Sequence, residues 1–291
     1  MHRIPIELAP DPTTRLAVID TDSGKVVGDI PGTEGVHGIA LAPDLGVGFI
    51  SDGGANQVTV FDLKTLKTLT SVPTGKNPDS ILYHPATHLV FAMNGGSNSA
   101  TVIDASKKQV VATIPLGGKP EFSAYDDEGN VFVNLEDRSA IAVLDPASKK
   151  LKEAWPLAPC KEPSGMAIDR SNHILFSACD NQMLAVVNSQ SGKVLQTVPI
   201  GDDCDAVAFD PGTGFVYASN GGGTLTIIHK DSSGKYGVIA NVPSASGSKT
   251  MALDTSTHKV YLPSAKFTGD PTAHPRPSVV PGSVAVLVIA K

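Results

Sequence analysis

An all-β fold, a β-propeller of four-stranded blades, is predicted by three observations. First, six β-rich runs recur along the 291 residues: "RLAVIDTDSGKVV", "VTVFDLKTLKTL", "ATVIDASKKQVV", "IAVLDPASKKLK", "LAVVNSQSGKVL" and "LTIIHKDSSGKY". Their closing polar residues, Asp20, Asp62, Asp104, Asp145, Asn188 and His229, are 42, 42, 41, 43 and 41 positions apart. Second, each gap between runs holds a strand–polar turn–strand unit, as in "HGIALAPDLGVGFISD" and "DSILYHPATHLVFAMN". Third, the runs are short, rich in Val, Ile, Phe and Ala, and lack a 3.6-residue period. Four short strands in about 42 residues is the pattern of a propeller blade.

Taken in order, the first hairpin, Arg15 to Ile30, has no strand–turn–strand unit ahead of it. Three readings stay open: "RIPIEL" supplies a strand, a partner chain does, or the hairpin completes the last blade of a ring of six full blades. Open blades expose strand edges, which proteins normally cover. A homodimer completing the first blade is therefore one expectation. Six inner strand pairs and their hairpins follow. A seventh run, "VAVLVIA", comes after a Pro-rich insertion at 266–283 that contains His274. That insertion is too long for a plain blade connection and reads as a lid or a surface wrap. The whole chain, 1–291, reads as a single propeller domain.

Composition narrows the functional classes. Hydrophobic residues make up 41% and charged residues 18%, ample for a core. The net charge is −6 without a Lys/Arg run, so neither nucleic acid nor an anionic membrane surface is expected as a partner. No apolar run approaches the ~18 residues of a membrane span. The start, "MHRIPIELAPDPTTR", lacks the basic and apolar regions of a signal peptide, which leaves the compartment open. Cys160, Cys179 and Cys204 are odd in number and lack CxxC spacing, so buried thiols are expected; a Cys160–Cys204 disulfide is conceivable. "SGMAID" is no nucleophile elbow, and "NGGGT" and "NGGSN" read as blade turns. Trp155 falls in an outer strand, which leaves no tryptophan for the cofactor floor of a quinone-dependent propeller.

The hairpins "TVFDLKTLK", "TVIDASKKQVVATIPLGGKP" and "VVNSQSGKVLQTVPIGDD" resemble the YVTN-type β-propeller repeat family, also described as surface-layer-like or quinoprotein-like propellers. The likeness covers nearly the whole chain. It implies seven blades, here with an incomplete first blade, and a periplasmic or extracellular location. Many members of that family have no assigned activity.

In a propeller the first strand of each blade lines the central channel. Aligned on its start, the repeats place His37, Asp79, Glu121, Ser164, Asp205 and Lys249 at one position. Aligned on the end of the second strand, they place Asp52, Asn94, Asn134, Cys179, Asn220 and Ser264 at another. Converging carboxylates repel unless a cation or protons compensate. Carboxylates and carboxamides are also the oxygen donors that Ca²⁺ prefers. Asp79, Glu121 and Asp205 with Asn94, Asn134 and Asn220 are therefore the expected ligands of a divalent metal ion, Ca²⁺ favoured. The arrangement is similar to that of the calcium-dependent lactonases and organophosphate hydrolases, where such residues hold a metal on the channel axis.

The expected function is then a metal-assisted hydrolase acting on an ester, lactone or phosphotriester at the channel mouth. The metal would be the Lewis acid, His37 the general base, Asp205 a ligand or base, and Lys249 the stabiliser of an anionic intermediate. The alternative is a non-enzymatic propeller recognising a protein or small ligand. His84, His88, His173 and His258 fall in turns away from the mouth and are expected to be solvated.

Overall fold

The computed structural model describes residues 3–7, 15–269 and 278–290. Their strands form seven antiparallel sheets, β1 to β26 in chain order. The first sheet holds β1 (Arg3–Glu7), β2 (Arg15–Asp20) and β3 (Lys25–Pro31). Four-stranded sheets follow: β4 (Val36–Ala42), β5 (Val47–Asp52), β6 (Gln57–Asp62) and β7 (Thr68–Pro73); then β8 (Pro78–His84), β9 (Leu89–Asn94), β10 (Ser99–Asp104) and β11 (Gln109–Pro115). The next are β12 (Pro120–Tyr125), β13 (Val131–Leu135), β14 (Ala140–Asp145) and β15 (Lys150–Pro156), and β16 (Pro163–Asp169), β17 (Ile174–Cys179), β18 (Met183–Asn188) and β19 (Val194–Pro199). The sixth has β20 (Cys204–Asp210), β21 (Phe215–Asn220), β22 (Thr224–Lys230) and β23 (Tyr236–Pro243). The last holds β24 (Ala252–Asp254), β25 (Lys259–Ser264) and β26 (Ala285–Ile289).

"RIPIEL" does supply a strand: β1 pairs β2 from Arg3↔Asp20 to Glu7↔Leu16. The first sheet thus has three strands, as does the last, with five four-stranded sheets between them. By contacts the chain divides into two compact units, residues 1–133 with 142–153, and residues 134–141 with 154–291. Among the described residues no helix is long and apolar enough to cross a membrane.

Burial falls from the inside of each blade to its outer strand. β5, β9 and β17 are buried along their full length, which is why they read as unbroken apolar runs rather than alternating ones. The outer strands β3, β7, β11 and β15 each bury one residue: Ile30, Val72, Ile114 and Trp155. A proline follows each of these and ends the strand, a position where a missing ladder donor does little harm. Within the first unit, Leu16, Val18, Ile30, Val36, Ile50 and Phe61 pack as one cluster joining the first two sheets. Within the second, Phe176, Val186, Val198, Val207 and Ile228 do the same for β16–β19 and β20–β23. Trp155 sits in the outer strand β15 as expected, and Gly192, at φ +69°, leaves room for it: a Cβ there would lie 2.3 Å from the indole ring.

The repeated polar residues make turns. Asp62 Oδ1 accepts from the backbone N–H groups of Lys64 and Thr65, and Asn188 Oδ1 from those of Gln190 and Ser191. The donors hold the Asp62, Asp104 and Asp145 carboxyls below their usual pKa range. In the sixth hairpin the turn residue is Asp231, not His229: β22 is one residue longer, and Asp231 accepts from Ser233 and Lys235. His229 instead sets its ring edge-on to Phe215, 5.1 Å away.

Three of the turn histidines, His84, His88 and His258, are not the solvated groups expected, and His84 is buried. His88 Nδ1 lies 2.9 Å from the Tyr83 hydroxyl, which donates to Asp44 Oδ2 at 2.7 Å. His258 Nδ1 is 2.7 Å from Asp210 Oδ2, and Asp210 is fully buried. Each contact ties an inner turn of one sheet to the next. His84 pairs with Thr87 and meets Tyr125 edge-on.

The insertion at 266–283 begins and ends as a short ladder, with Phe267 paired to Val279 and Val280 N–H donating to the Lys266 carbonyl. His274 lies outside the described residues.

Candidate functional site

The inner strands start with a shared irregularity. Val36 pairs with Asp52 and Ile39 with Ile50; Pro78 pairs with Asn94 and Ile81 with Ala92; β16 and β20 repeat the shift. One extra residue is therefore inserted at each strand start. A bulge of this kind lifts its side chain out of the ladder and re-aims it. His37, Asp79, Ser164 and Asp205 all sit on these bulges, which is how one repeated position becomes a set of polar groups.

In the first unit, His37 Nδ1 stands 3.7 Å from Asp79 Oδ1, and both side chains are partly exposed. His37 lies over Gly53, where a Cβ would come within 2.8 Å of the ring. Glu121, nearly buried, is ion-paired with Lys119 at 2.9 Å. In the second unit, Lys249 Nζ is 3.2 Å from Asp203 Oδ1 and 3.7 Å from Asp205 Oδ2. The Ser164 hydroxyl donates to Asp205 Oδ1 at 2.7 Å. Lys119 and Asp203 escaped the sequence reading. Each precedes its acidic neighbour by two residues, in "KPE" and "DCD", and that spacing was the available signal.

The second repeated position is buried. Asn94 donates its amide to the Ser99 and Thr101 hydroxyls, and Asn220 donates to Thr224 and Thr226. Asp52 accepts from Thr59 and Gln57. In all three the remaining Oδ1 has no hydrogen-bond partner. Burial pushes the Asp52 carboxyl up to about 6, although the Thr59 and Gln57 hydrogen bonds oppose it.

Asn134 does not belong to this set. Asn134 is the penultimate residue of β13, whereas Asn94 and Asn220 are the last residues of β9 and β21. The one-residue offset turns it to the other face of its strand. Its amide donates to the carbonyls of Ser164 and Gly165, and its Oδ1 accepts from the Ser177 hydroxyl at 2.9 Å. Ser51 and Ser219 do the same work, donating to the Asp79 and Ser248 carbonyls. Each of the three ties one sheet to the segment that opens the next, and both ends of the Asn134 amide are engaged as a blade latch.

Cys179 does share the Asn94 position, and the expectation of three thiols is corrected there. Cys160 and Cys179 form a disulfide, with Cα atoms 5.7 Å apart, and Cys204 is the buried free cysteine. Burial raises the Cys204 thiol pKa strongly, with the Asp205 and Asp203 charges adding to it. Cys160 is three residues before Pro163, just as Gly75 precedes Pro78 and Gly201 precedes Cys204. A Cβ on Gly75 or Gly201 would touch the carboxamide of Asn94 or Asn220 at 2.8 and 2.7 Å. The disulfide thus occupies the place of a Gly–Asn contact made in two other blades.

Of the expected metal ligands, Asp79, Glu121 and Asn94 lie in the first unit and Asp205, Asn134 and Asn220 in the second. Asp79 has His37 beside it, Glu121 and Asp205 have lysines beside them, and Asn134 uses both ends of its amide. Asn94 and Asn220 keep a buried oxygen without a partner. Among the described residues no group of three or more His, Cys, Asp or Glu is placed to hold a metal ion.

No protein-family model and no curated protein matches this chain by sequence. Solved structures do match its fold. A chain of the Kuenenia stuttgartiensis hydrazine synthase structure superposes with a TM-score of 0.80 at 15% identity, covering 96% of this chain and 90% of that one. A functionally unknown protein from Desulfotomaculum acetoxidans gives 0.77 at 12% identity, covering 98% of each. A chain of a mitotic checkpoint complex gives 0.77 at 15% identity, covering 89% of this chain and 80% of that one. At these identities the likeness shows the fold alone: the chain is an all-β propeller.

Proposed function

We propose that this chain is a binding propeller of the YVTN-repeat type, recognising a polar small ligand or a protein through its bulged strand starts. The observation that carries the reading is the pairing of carboxylates with basic side chains at the inner strand starts: Asp79 with His37, Glu121 with Lys119, and Asp205 with Lys249. Paired donors and acceptors of both signs suit recognition of a polar partner. A hard cation needs several oxygen donors turned to one point. The Cys160–Cys179 disulfide supports an oxidising compartment, periplasmic or extracellular.

Metal-assisted hydrolysis is the competing reading, and the contact between His37 and Asp79 favours it, since a carboxylate orients a histidine that takes a proton. Metal content of the dialysed protein, measured by mass spectrometry beside turnover of phenyl acetate, a γ-lactone and a phosphotriester, separates the two. The binding reading expects no stoichiometric ion and no turnover above background. A stoichiometric divalent ion that disappears in Asp79→Ala and Glu121→Ala, together with turnover, would overturn it.

A further inference from the structure

A cleft of about 600 Å³ opens in the second unit between the β16–β19 and β20–β23 sheets, away from the strand starts. Its floor is apolar: Ile174, Val186 and the ring of Tyr236 line it, and Leu195, half exposed, forms one wall. Its cationic groups are Lys230 and Lys235. Lys230 Nζ stands 5.9 Å from the centroid of the Tyr236 ring.

The other polar groups nearby are already engaged. Gln196 accepts from the Tyr236 backbone N–H at 3.0 Å and donates to its carbonyl, clamping β19 to β23. Asp169 accepts from the Asn172 amide, and Asp231 is held within its own turn by Ser233 and Lys235. Burial, with the nearby Asp169 charge, pushes the Tyr236 phenol up to about 12, so it stays a neutral donor. What remains for a ligand is an apolar floor, a phenol and two ammonium groups, in a protein whose net charge is −6. The volume falls in the roughly 300–1,000 Å³ range of small-molecule sites.

We propose that this cleft binds a small amphipathic carboxylate, its apolar body on Ile174, Val186 and Tyr236 and its carboxylate between Lys230 and Lys235. The site is independent of the strand starts and of the function proposed for them.

The test uses naphthalene-2-carboxylate as probe, titrated by calorimetry into the full chain, with the neutral naphthalene-2-carboxamide beside it. The expected result is saturable binding of the carboxylate, weakened about tenfold or more for the carboxamide and in the Lys230→Gln/Lys235→Gln variant. A Leu195→Asp variant should weaken it too, by placing a like charge on the wall. Absence of saturable binding overturns the proposal. So does equal binding of acid and amide, or binding that the double lysine variant leaves unchanged. Both lysines are surface groups, so circular dichroism of the variant should match the parent.

Discussion

Position 52 holds an Asp where two other blades have Asn94 and Asn220, in the same register and equally buried. The carboxyl is raised to about 6 by burial, from 3.8. A raised acid holds its proton longer in the folded state than in the unfolded one. Stability from this group is therefore greatest below pH 3.8, declines between pH 3.8 and 6, and stays low above that. Asp52→Asn removes the penalty and can still hydrogen-bond Thr59, as Asn94 bonds Thr101. Urea unfolding at pH 8 should show the variant more stable by up to about 3 kcal/mol, at ~1.4 kcal/mol per pKa unit. At pH 4 the two proteins should be nearly equal, and a gain of the same size at both pH values would contradict the account. The repeat made this position visible in the sequence, but its burial was not visible. A polar residue at the end of a strand reads equally well as a wet channel group.

At the scale of the element, the Cys160–Cys179 link stands in for the Gly75–Asn94 and Gly201–Asn220 contacts. It closes a loop of 19 residues, for which loop-closure entropy predicts roughly 3 kcal/mol of stabilisation. The Cys160→Ser/Cys179→Ser variant should lose about that much in urea unfolding without reductant. Cys160→Gly/Cys179→Asn restores the contact of the other blades and should lose less. Equal losses would mean that the two devices are not equivalent. The sequence carried part of this, since Cys160 aligns with Gly75 by its distance to the next strand. The pairing itself could not be read, because only the fold brings the two Cα atoms within bonding reach. The Asn134 offset could not be read from its spacing, since Asn220 is likewise 11 residues before its turn aspartate Asp231; only the strand ends and hydrogen bonds show which face it serves.

Across the whole molecule the repeat yields seven sheets, of which the first and last have three strands. β1 covers the edge of β2, whose Leu16, Ala17 and Val18 are buried. Removing residues 1–8 should leave that edge unpaired, and an unpaired edge invites association with another chain. Light scattering at rising concentration should show the truncated chain growing in mass beyond the intact one. Matching masses at every concentration would mean that β1 is dispensable as an edge cover.

The sequence by itself determined the architecture. A period of about 42 residues, strand-length apolar runs and turn aspartates recur too often to permit another fold, and each copy repeats the same local physics. The partners were decided by the tertiary structure alone. Which basic side chain meets each carboxylate, which two cysteines join, and which face Asn134 serves all depend on a bulge or a register shift. Such features bring residues tens of positions apart within a few ångströms, and a linear pattern of residue types carries no such distances.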